Sequence, residues 1–262
     1  HPVAHSFPTR RSSDLSNSGK TKELLRLFQE LQKNDHGSLI GITANDNTAL
    51  EKTSTGTIVL ECGQEKAVAA TKSIVEQALV LEQVYNALVN RKNKNLVELA
   101  GLFNEVLEMK IDPEITANLA QASIIYFAGR NNGVAEELTL KTNEITRKKS
   151  DFLEGTYCVH GIEEVMDKNE ALILIDPFIE EEDKFYDVLV KNIGMNVIAI
   201  APRQTRFTTI IIPDKPEYRT YLQLAAGWNV LVEIGIQLGI NLDITERARK
   251  IGNEYIENKP LI

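Results

Sequence analysis

Ser16-Asn17-Ser18-Gly19-Lys20-Thr21 decides the reading of this chain, because it sets hydroxyl side chains and a glycine at the mouth of a helix. The residues that follow, Lys22-Glu23-Leu24-Leu25-Arg26-Leu27-Phe28, carry apolar side chains at helical spacing. The hydroxyls therefore fall where the first backbone N–H groups of a helix lack partners. Free N–H groups, the positive pole of the helix dipole and nearby O–H donors together make a phosphate seat. An ordinary N-cap needs only one Ser or Thr. Gly19-Lys20-Thr21 does not complete a nucleotide P-loop, since that motif requires a glycine five residues before Gly19 and Asp14 stands there.

A turn of this kind normally follows a buried apolar strand, yet residues 1–15 are polar and basic and contain no such run. Phe7-Pro8-Thr9-Arg10-Arg11-Ser12-Ser13-Asp14-Leu15 resembles the translation of a common sequencing-adapter oligonucleotide. It also lacks the apolar centre of a signal peptide. Residues 1–15 are therefore set apart as non-native, and the first lobe is expected to be incomplete, its true start lying upstream.

Downstream, strand and helix patterns alternate. Ser38–Thr43, Thr57–Leu60, Ile124–Ala128, Ala171–Ile175, Asn196–Ile200 and Thr209–Ile212 read as strands. Helical spacing covers Val68–Leu88, Asn95–Met109, Pro113–Ala122, Val134–Lys149, Glu181–Asn192, Tyr218–Leu238 and Thr245–Asn258. Such alternation gives an α/β fold with mostly parallel sheets covered by helices on both faces. The expected domains are a partial first lobe at 16–94, a helical joint at 95–122 and a second lobe at 123–262. Ligands of open parallel sheets bind beyond the carboxyl ends of the strands, where Ser16–Thr21, Gly129 and Asp176 are expected to lie. Asp176-Pro177-Phe178-Ile179-Glu180-Glu181-Glu182-Asp183 opens its helix with carboxylates that repel phosphate, so the seat belongs to the first lobe.

Composition narrows the partners. A net charge of -8 without a basic tract argues against nucleic acid and anionic membranes. Apolar runs stop well short of a membrane span. Cys62 and Cys158 are far apart and fit no metal-ligand spacing, which reads as two reduced thiols in a cytoplasmic protein with neither metal nor cofactor.

Four further residues bear on chemistry. Lys141 and Glu144 share a helix face, ordinarily as a surface ion pair. His160 follows the turn Glu154-Gly155-Thr156-Tyr157, and a lone histidine is ordinarily structural. Lys250 lies in Arg247-Ala248-Arg249-Lys250, ordinarily a solvated basic face. Beside a phosphate seat, however, they form a set suited to aldose–ketose isomerisation. A histidine opens the sugar ring near neutral pH, and a carboxylate such as Glu144 moves a proton between C1 and C2. An amine, Lys250 or Lys141, forms a Schiff base or stabilises an enediolate.

The chain resembles the double SIS (sugar isomerase) family, in particular the isomerase half of glucosamine-6-phosphate synthase and related phosphosugar isomerases and deaminases. Ser16–Thr21 is similar to the family's S-Q-S-G-E-T phosphate loop, and Glu65–Lys72 to its E-x-G-V-A-S-T-K turn. Lys141-Thr142-Asn143-Glu144-Ile145 is similar to K-L-K-E-I, and Val159-His160-Gly161 to K-H-G at the same distance from the glutamate. The resemblance implies two flavodoxin-like three-layer lobes. It implies that Ser16, Asn17, Ser18 and Thr21 hold the phosphate and that Val68 meets the sugar through its backbone. It further implies that Glu144 transfers the proton, His160 opens the ring from the neighbouring subunit of a homodimer, and Lys250 is the Schiff-base lysine. The implied ligand is a hexose or amino-hexose 6-phosphate, bound without metal, for isomerisation alone or coupled to amination or deamination. Tyr157, Ile162 and Ala70 depart from the family's glutamate, proline and serine, and the tail Ile256–Ile262 differs from the synthase's V-T-V-E. A non-catalytic sugar-phosphate sensor is the alternative reading. It would keep the hydroxyl loop and have no need of Glu144, His160 and Lys250.

Overall fold

The computed structural model describes residues 13–35, 37–63, 65, 67–244 and 246–247. The chain divides into two compact units, one running to Lys92 and the other from Asn93 to Thr245, with Ala67–Ala69 grouped with the second. Among the described residues no helix is long and apolar enough to cross a membrane.

The first unit holds a parallel sheet of order β1-β2-β3, formed by Ser13–Leu15, Ile40–Thr43 and Gly56–Val59. The expectation that the fold starts at Ser16 is thereby corrected. Ser13–Leu15 pairs with β2, Leu15 lying opposite Ile42, and Ser16 N–H extends the ladder to Ile42 O at 3.0 Å. Pairing of this kind uses only backbone N–H and C=O groups, so a polar tripeptide is no bar to it. Helix α1, Lys22–Lys33, buries Leu24, Leu25 and Phe28 in a cluster with Leu39 of the loop before β2 and Leu50 of α2, Ala49–Thr53. Helix α3 starts at Lys72 and ends at Leu88, four residues later than the pattern from Val68 suggests.

The second unit has a five-stranded parallel sheet of order β5-β4-β6-β7-β8. Its strands are Ile124–Gly129, Lys149–Glu154, Ala171–Ile175, Asn196–Ala201 and Thr208–Ile211 for β4 to β8. Tyr126, Ala128, Leu172, Leu174, Val197 and Ala199 share one core with Phe185 and Leu189, from α7 (Glu182–Phe185) and the helical segment Tyr186–Ile193 that continues it. Ile125, Phe127, Ile173, Ile175, Ile198 and Ile200, of opposite parity, are equally buried. They define the other face, on which α6 (Val134–Lys141) and α8 (Arg219–Gln237) lie. The result is the expected three-layer α/β arrangement. Helices α4 (Leu96–Leu107) and α5 (Pro113–Gln121), in the stretch expected to be a joint, pack along α8 inside this unit. Asn95 caps α4, and Asp112 caps α5 ahead of Pro113.

The helix expected over Val134–Lys149 is shorter than its pattern. After α6 it widens into a π turn at Thr142–Thr146 and stops at Arg147, whose φ is 57°. Strand β5 then occupies residues that carried no strand pattern. The helix expected over Thr245–Asn258 falls outside the described residues.

Gly129 closes β4 at φ 107°, and a Cβ there would strike the backbone carbonyl of Ile175. Gly129→Ala is expected to lower unfolding free energy by about 2–3 kcal/mol. Gly101→Ala, in open space inside α4, is expected to raise it by roughly 0.5–1 kcal/mol. Urea unfolding of both variants checks the contrast.

Candidate functional site

In the first lobe the loop Ser16–Thr21 leaves the carboxyl end of β1 and enters α1. Gly19, at φ 64°, makes the bend, its N–H donating to Ser16 O at 2.9 Å. A side chain there would also collide with Thr48, only 2.5 Å from the position of a Cβ. Ser16 and Thr21 hydroxyls lie 2.8 Å apart, and Lys20 N–H donates to Ser18 Oγ at 3.2 Å. Ser16, Ser18 and Thr21 are thus brought into one turn. Thr21 is the N-cap of α1, but its side chain makes no capping hydrogen bond. Asn17 Oδ1 is buried without a hydrogen-bond partner.

A second segment, unremarked in the sequence, supports this loop. Asn17 O accepts from Ala44 N–H at 3.1 Å, from Asn45 Nδ2 at 2.9 Å and from Thr43 Oγ1 at 3.3 Å. Leu50 N–H reaches Gly19 O at 3.0 Å. Thr48 caps α2, accepting from Glu51 N–H at 3.3 Å, while Glu51 accepts from Asn47 N–H at 2.6 Å. The signal was available in Thr48-Ala49-Leu50-Glu51, which has the S/T-x-x-E form of a capping box. The Glu65 carboxylate accepts from the N–H groups of Thr71, Lys72 and Ser73 and from the Ser73 hydroxyl, so it caps α3. Burial pushes its pKa up, but these donors outweigh burial and hold it below the ordinary value. Val68 is half-buried in the Ala67–Ala69 bend.

In the second lobe Lys141 and Glu144 meet as expected, Nζ to Oε2 at 2.9 Å. The pair is no surface pair. Lys141 is 2% exposed, and Glu137, one turn earlier, brings a second carboxylate to 3.2 Å. Glu137 was missed, although its spacing of four residues from Lys141 is the signal for such a contact. Burial raises the Glu137 pKa, the Lys141 charge opposes that rise, and Glu144 adds to it. Glu144 sits on the π turn, its side chain 23% exposed.

His160 is exposed at the end of the short turn Tyr157–Val159. Its Nε2 lies 3.0 Å from Thr156 Oγ1 and 3.4 Å from Lys184 Nζ, and these, not Glu144, are its side-chain partners. Lys250 lies outside the described residues. Among the described residues no cluster of His, Cys, Asp and Glu could hold a metal ion. Burial raises the Cys158 thiol to about 12 and the Cys62 thiol to about 11, so neither is a ready nucleophile.

Residues 15–87 match the SIS domain family. The chain is 25% identical over 248 residues to glutamine–fructose-6-phosphate aminotransferase (isomerizing) of Methanocaldococcus jannaschii, covering 87% of this chain and 22% of that protein. It is 28% identical over 208 residues to the same-named protein of Buchnera aphidicola, covering 72% of this chain and 32% of the relative. The chain therefore spans a third or less of the length of these two relatives.

Among solved structures, the C-terminal domain of glucosamine-fructose-6-phosphate aminotransferase from Francisella tularensis superposes with a TM-score of 0.70 at 19% identity, over 88% of this chain and 72% of that one. Tagatose-6-phosphate ketose/aldose isomerase from Escherichia coli gives 0.72 at 17% identity, over 90% and 72%. Glucosamine-6-phosphate deaminase from Thermotoga maritima gives 0.72 at 21% identity, over 93% and 76%. At these identities the likeness is one of fold.

Lys141→Met leaves Glu137 and Glu144 without their shared cation and is expected to cost about 2–3 kcal/mol at pH 8. Glu137 already titrates above its ordinary value, and loss of the ammonium lifts it further. The folded state then holds this proton to higher pH than the unfolded chain does. Stability is thus fully present below the ordinary carboxylate range and falls as pH rises through the folded value. Urea unfolding at pH 5 and pH 8 is expected to show the larger deficit at pH 8.

Proposed function

We propose that this SIS-domain chain is a phosphosugar enzyme that binds a hexose or amino-hexose 6-phosphate and moves a proton between C1 and C2 of the opened sugar. The observation that carries the reading is the N-cap of α1. Thr21 heads that helix, yet its hydroxyl turns to Ser16 and leaves the first turn without a side-chain cap. A phosphate there supplies the missing acceptors and meets the positive pole of the dipole. Asn17 Oδ1, an open buried acceptor in a loop of donors, complements a sugar hydroxyl. The names of the relatives support the ligand class, since each of the proteins compared is named for a 6-phosphate sugar.

In this reading Ser16, Asn17, Ser18 and Thr21 hold the phosphate, and the backbone of Val68 meets the sugar. His160 opens the ring, an imidazole being the side chain suited to acid/base exchange with the ring oxygen. Glu144 takes the C2 proton, giving an enediolate, and returns it to C1 while the hydroxyl proton on O2 passes to O1. Its carboxylate is partly exposed and is held 2.9 Å from Lys141 Nζ. Lys250 is the proposed Schiff-base lysine, and the proposed working unit is a homodimer. Isomerisation is the step shared with the aminating and deaminating members.

Ser18→Ala combined with Thr21→Ala is expected to weaken glucose 6-phosphate and glucosamine 6-phosphate binding at least about tenfold, since a hydrogen bond to a charged group contributes roughly 1.5–3 kcal/mol. Calorimetric titration reads this directly, and unchanged affinity removes the phosphate seat. Glu144→Gln keeps the shape and loses the base, so it is expected to bind sugar phosphate while abolishing deuterium uptake at C2 from heavy water. Uptake at the unmodified rate would assign the base to another group. Binding without any exchange in the unsubstituted protein would make the chain a sensor.

A further inference from the structure

The surroundings of His160 bear on which of its two ring nitrogens carries a proton. Thr156 Oγ1 lies 3.0 Å from Nε2, and Lys184 Nζ lies 3.4 Å from the same nitrogen. Thr156 and Lys184 are half-buried, whereas the imidazole itself is exposed. Lys184 is carried on α7 between Asp183 and the wholly buried Phe185, so its stem leaves a fixed part of the second lobe. Among the described residues its ammonium has no carboxylate partner, and Nδ1 of His160 has no hydrogen-bond partner. The Glu163 carboxylate, in the adjoining turn Ile162–Val165, accepts from Gly161 N–H. A hydroxyl can donate or accept, so Thr156 does not decide the tautomer. An ammonium can only donate, so Lys184 does. A hydrogen on Nε2 would meet that positive charge. In the neutral imidazole Nε2 is therefore the acceptor, and Nδ1 carries the hydrogen. Histidine side chains in water favour the opposite form.

We propose that Lys184 is a positioning residue for His160, holding the neutral imidazole as its Nδ1–H tautomer, so that Nδ1 presents the proton to the sugar ring oxygen. The proposal rests on the reading of His160 as the ring-opening residue. In that step the Nδ1 proton passes to the ring oxygen as the bond from C1 to that oxygen breaks. The C1 hydroxyl becomes the carbonyl, and its proton returns to the imidazole, which ends as it began.

Long-range proton–nitrogen NMR of the full chain, labelled at its histidine nitrogens, reads the tautomer above the ordinary titration range of imidazole. His160→Gln identifies the signals by their loss. Nε2 is expected to be the acceptor nitrogen in the unsubstituted protein. Lys184→Met is expected to raise the Nε2–H population at least about threefold, and Lys184→Arg, which keeps a donating cation, to retain the Nδ1–H form. Interconversion of the glucose 6-phosphate anomers reads ring opening without isomerisation. Lys184→Met is expected to slow it in proportion to the lost Nδ1–H population, with sugar-phosphate affinity unchanged, and Lys184→Arg to retain the rate. An Nε2–H imidazole in the unsubstituted protein, or a tautomer that Lys184→Met leaves unmoved, overturns the assignment of Lys184. A tautomer that shifts without slowing anomer interconversion overturns it as well. Where His160→Gln still slows the interconversion in those cases, His160 keeps its role and only Lys184 fails. Should His160→Gln interconvert the anomers at the unsubstituted rate, the ring-opening reading of His160 fails and the positioning role with it.

Discussion

A lysine ammonium withdrawn almost wholly from water is the constraint around which the second lobe is arranged. Lys141, 2% exposed, has the carboxylates of Glu137 and Glu144 at 3.2 and 2.9 Å. Removing such a charge from water costs several kcal/mol unless partners replace the lost hydration. Glu137 comes from one turn earlier on α6. Glu144 comes from the next turn, where the helix has widened into the π turn Thr142–Thr146. The widening ends at Arg147 in a left-handed conformation, and the chain then turns into β5. Widened turns of this sort are frequent at functional sites. Here it holds a partly exposed carboxylate against a buried cation, which keeps that carboxylate in one place.

The first lobe meets the opposite problem, since its loop has donors to spare. Strand β1 ends in the loop, and the loop's own carbonyls are taken up by the β2–α2 segment: Asn17 O receives three donors, and Gly19 O receives Leu50 N–H. The backbone acceptors are therefore spent inside the lobe. Hydroxyls and the first turn of α1 are not spent on capping. Contact between Gly19 and Thr48 leaves no room for a side chain at the bend. The loop is thus fixed from behind and open in hydrogen-bonding capacity in front, the form of preorganisation that anion binding requires.

Much of this was legible in the sequence, for identifiable reasons. Ala171–Ile175 is an uninterrupted apolar run, and the strand has those bounds because all five residues are buried. The turn at Ser16–Thr21 was legible because Ser, Gly and Thr cluster there just ahead of a helical apolar pattern, whereas the β2–α2 segment that supports it from behind was not. Strand β5 was not legible: Lys149-Ser150-Asp151-Phe152-Leu153-Glu154 is an edge strand with little apolar content, and the helical pattern before it runs on through Ile145. The pairing of Lys141 with Glu144 follows from spacing, but its burial does not. Spacing fixes which residues share a face and says nothing of what covers that face. The start of α3 at Lys72 was hidden for a related reason, since its cap is Glu65, a residue of the preceding loop.

The two lobes also differ in how they treat the same position of a parallel sheet. In the first lobe the carboxyl end of β1 leads to hydroxyls. In the second, β6 leads to Asp176, a non-glycine residue held at φ 42° and 5% exposed. Its carboxylate lies 3.7 Å from Arg130 Nε and 3.6 Å from an Arg219 Nη, and Arg130 also donates to Asp176 O at 3.1 Å. The second lobe thus contains the cationic groups an anion would need, and it supplies the anion from its own chain. An internal carboxylate is present at an effective concentration that a soluble ligand does not match, so it stays in place. The left-handed backbone at Asp176 has a cost, of order 1 kcal/mol or more, which the two guanidinium contacts offset. Sequence alone located the acidic run after β6. The structure adds that the run begins with a buried residue, Asp176, set between Arg130 and Arg219, the latter also paired with Asp214 at 2.6 Å.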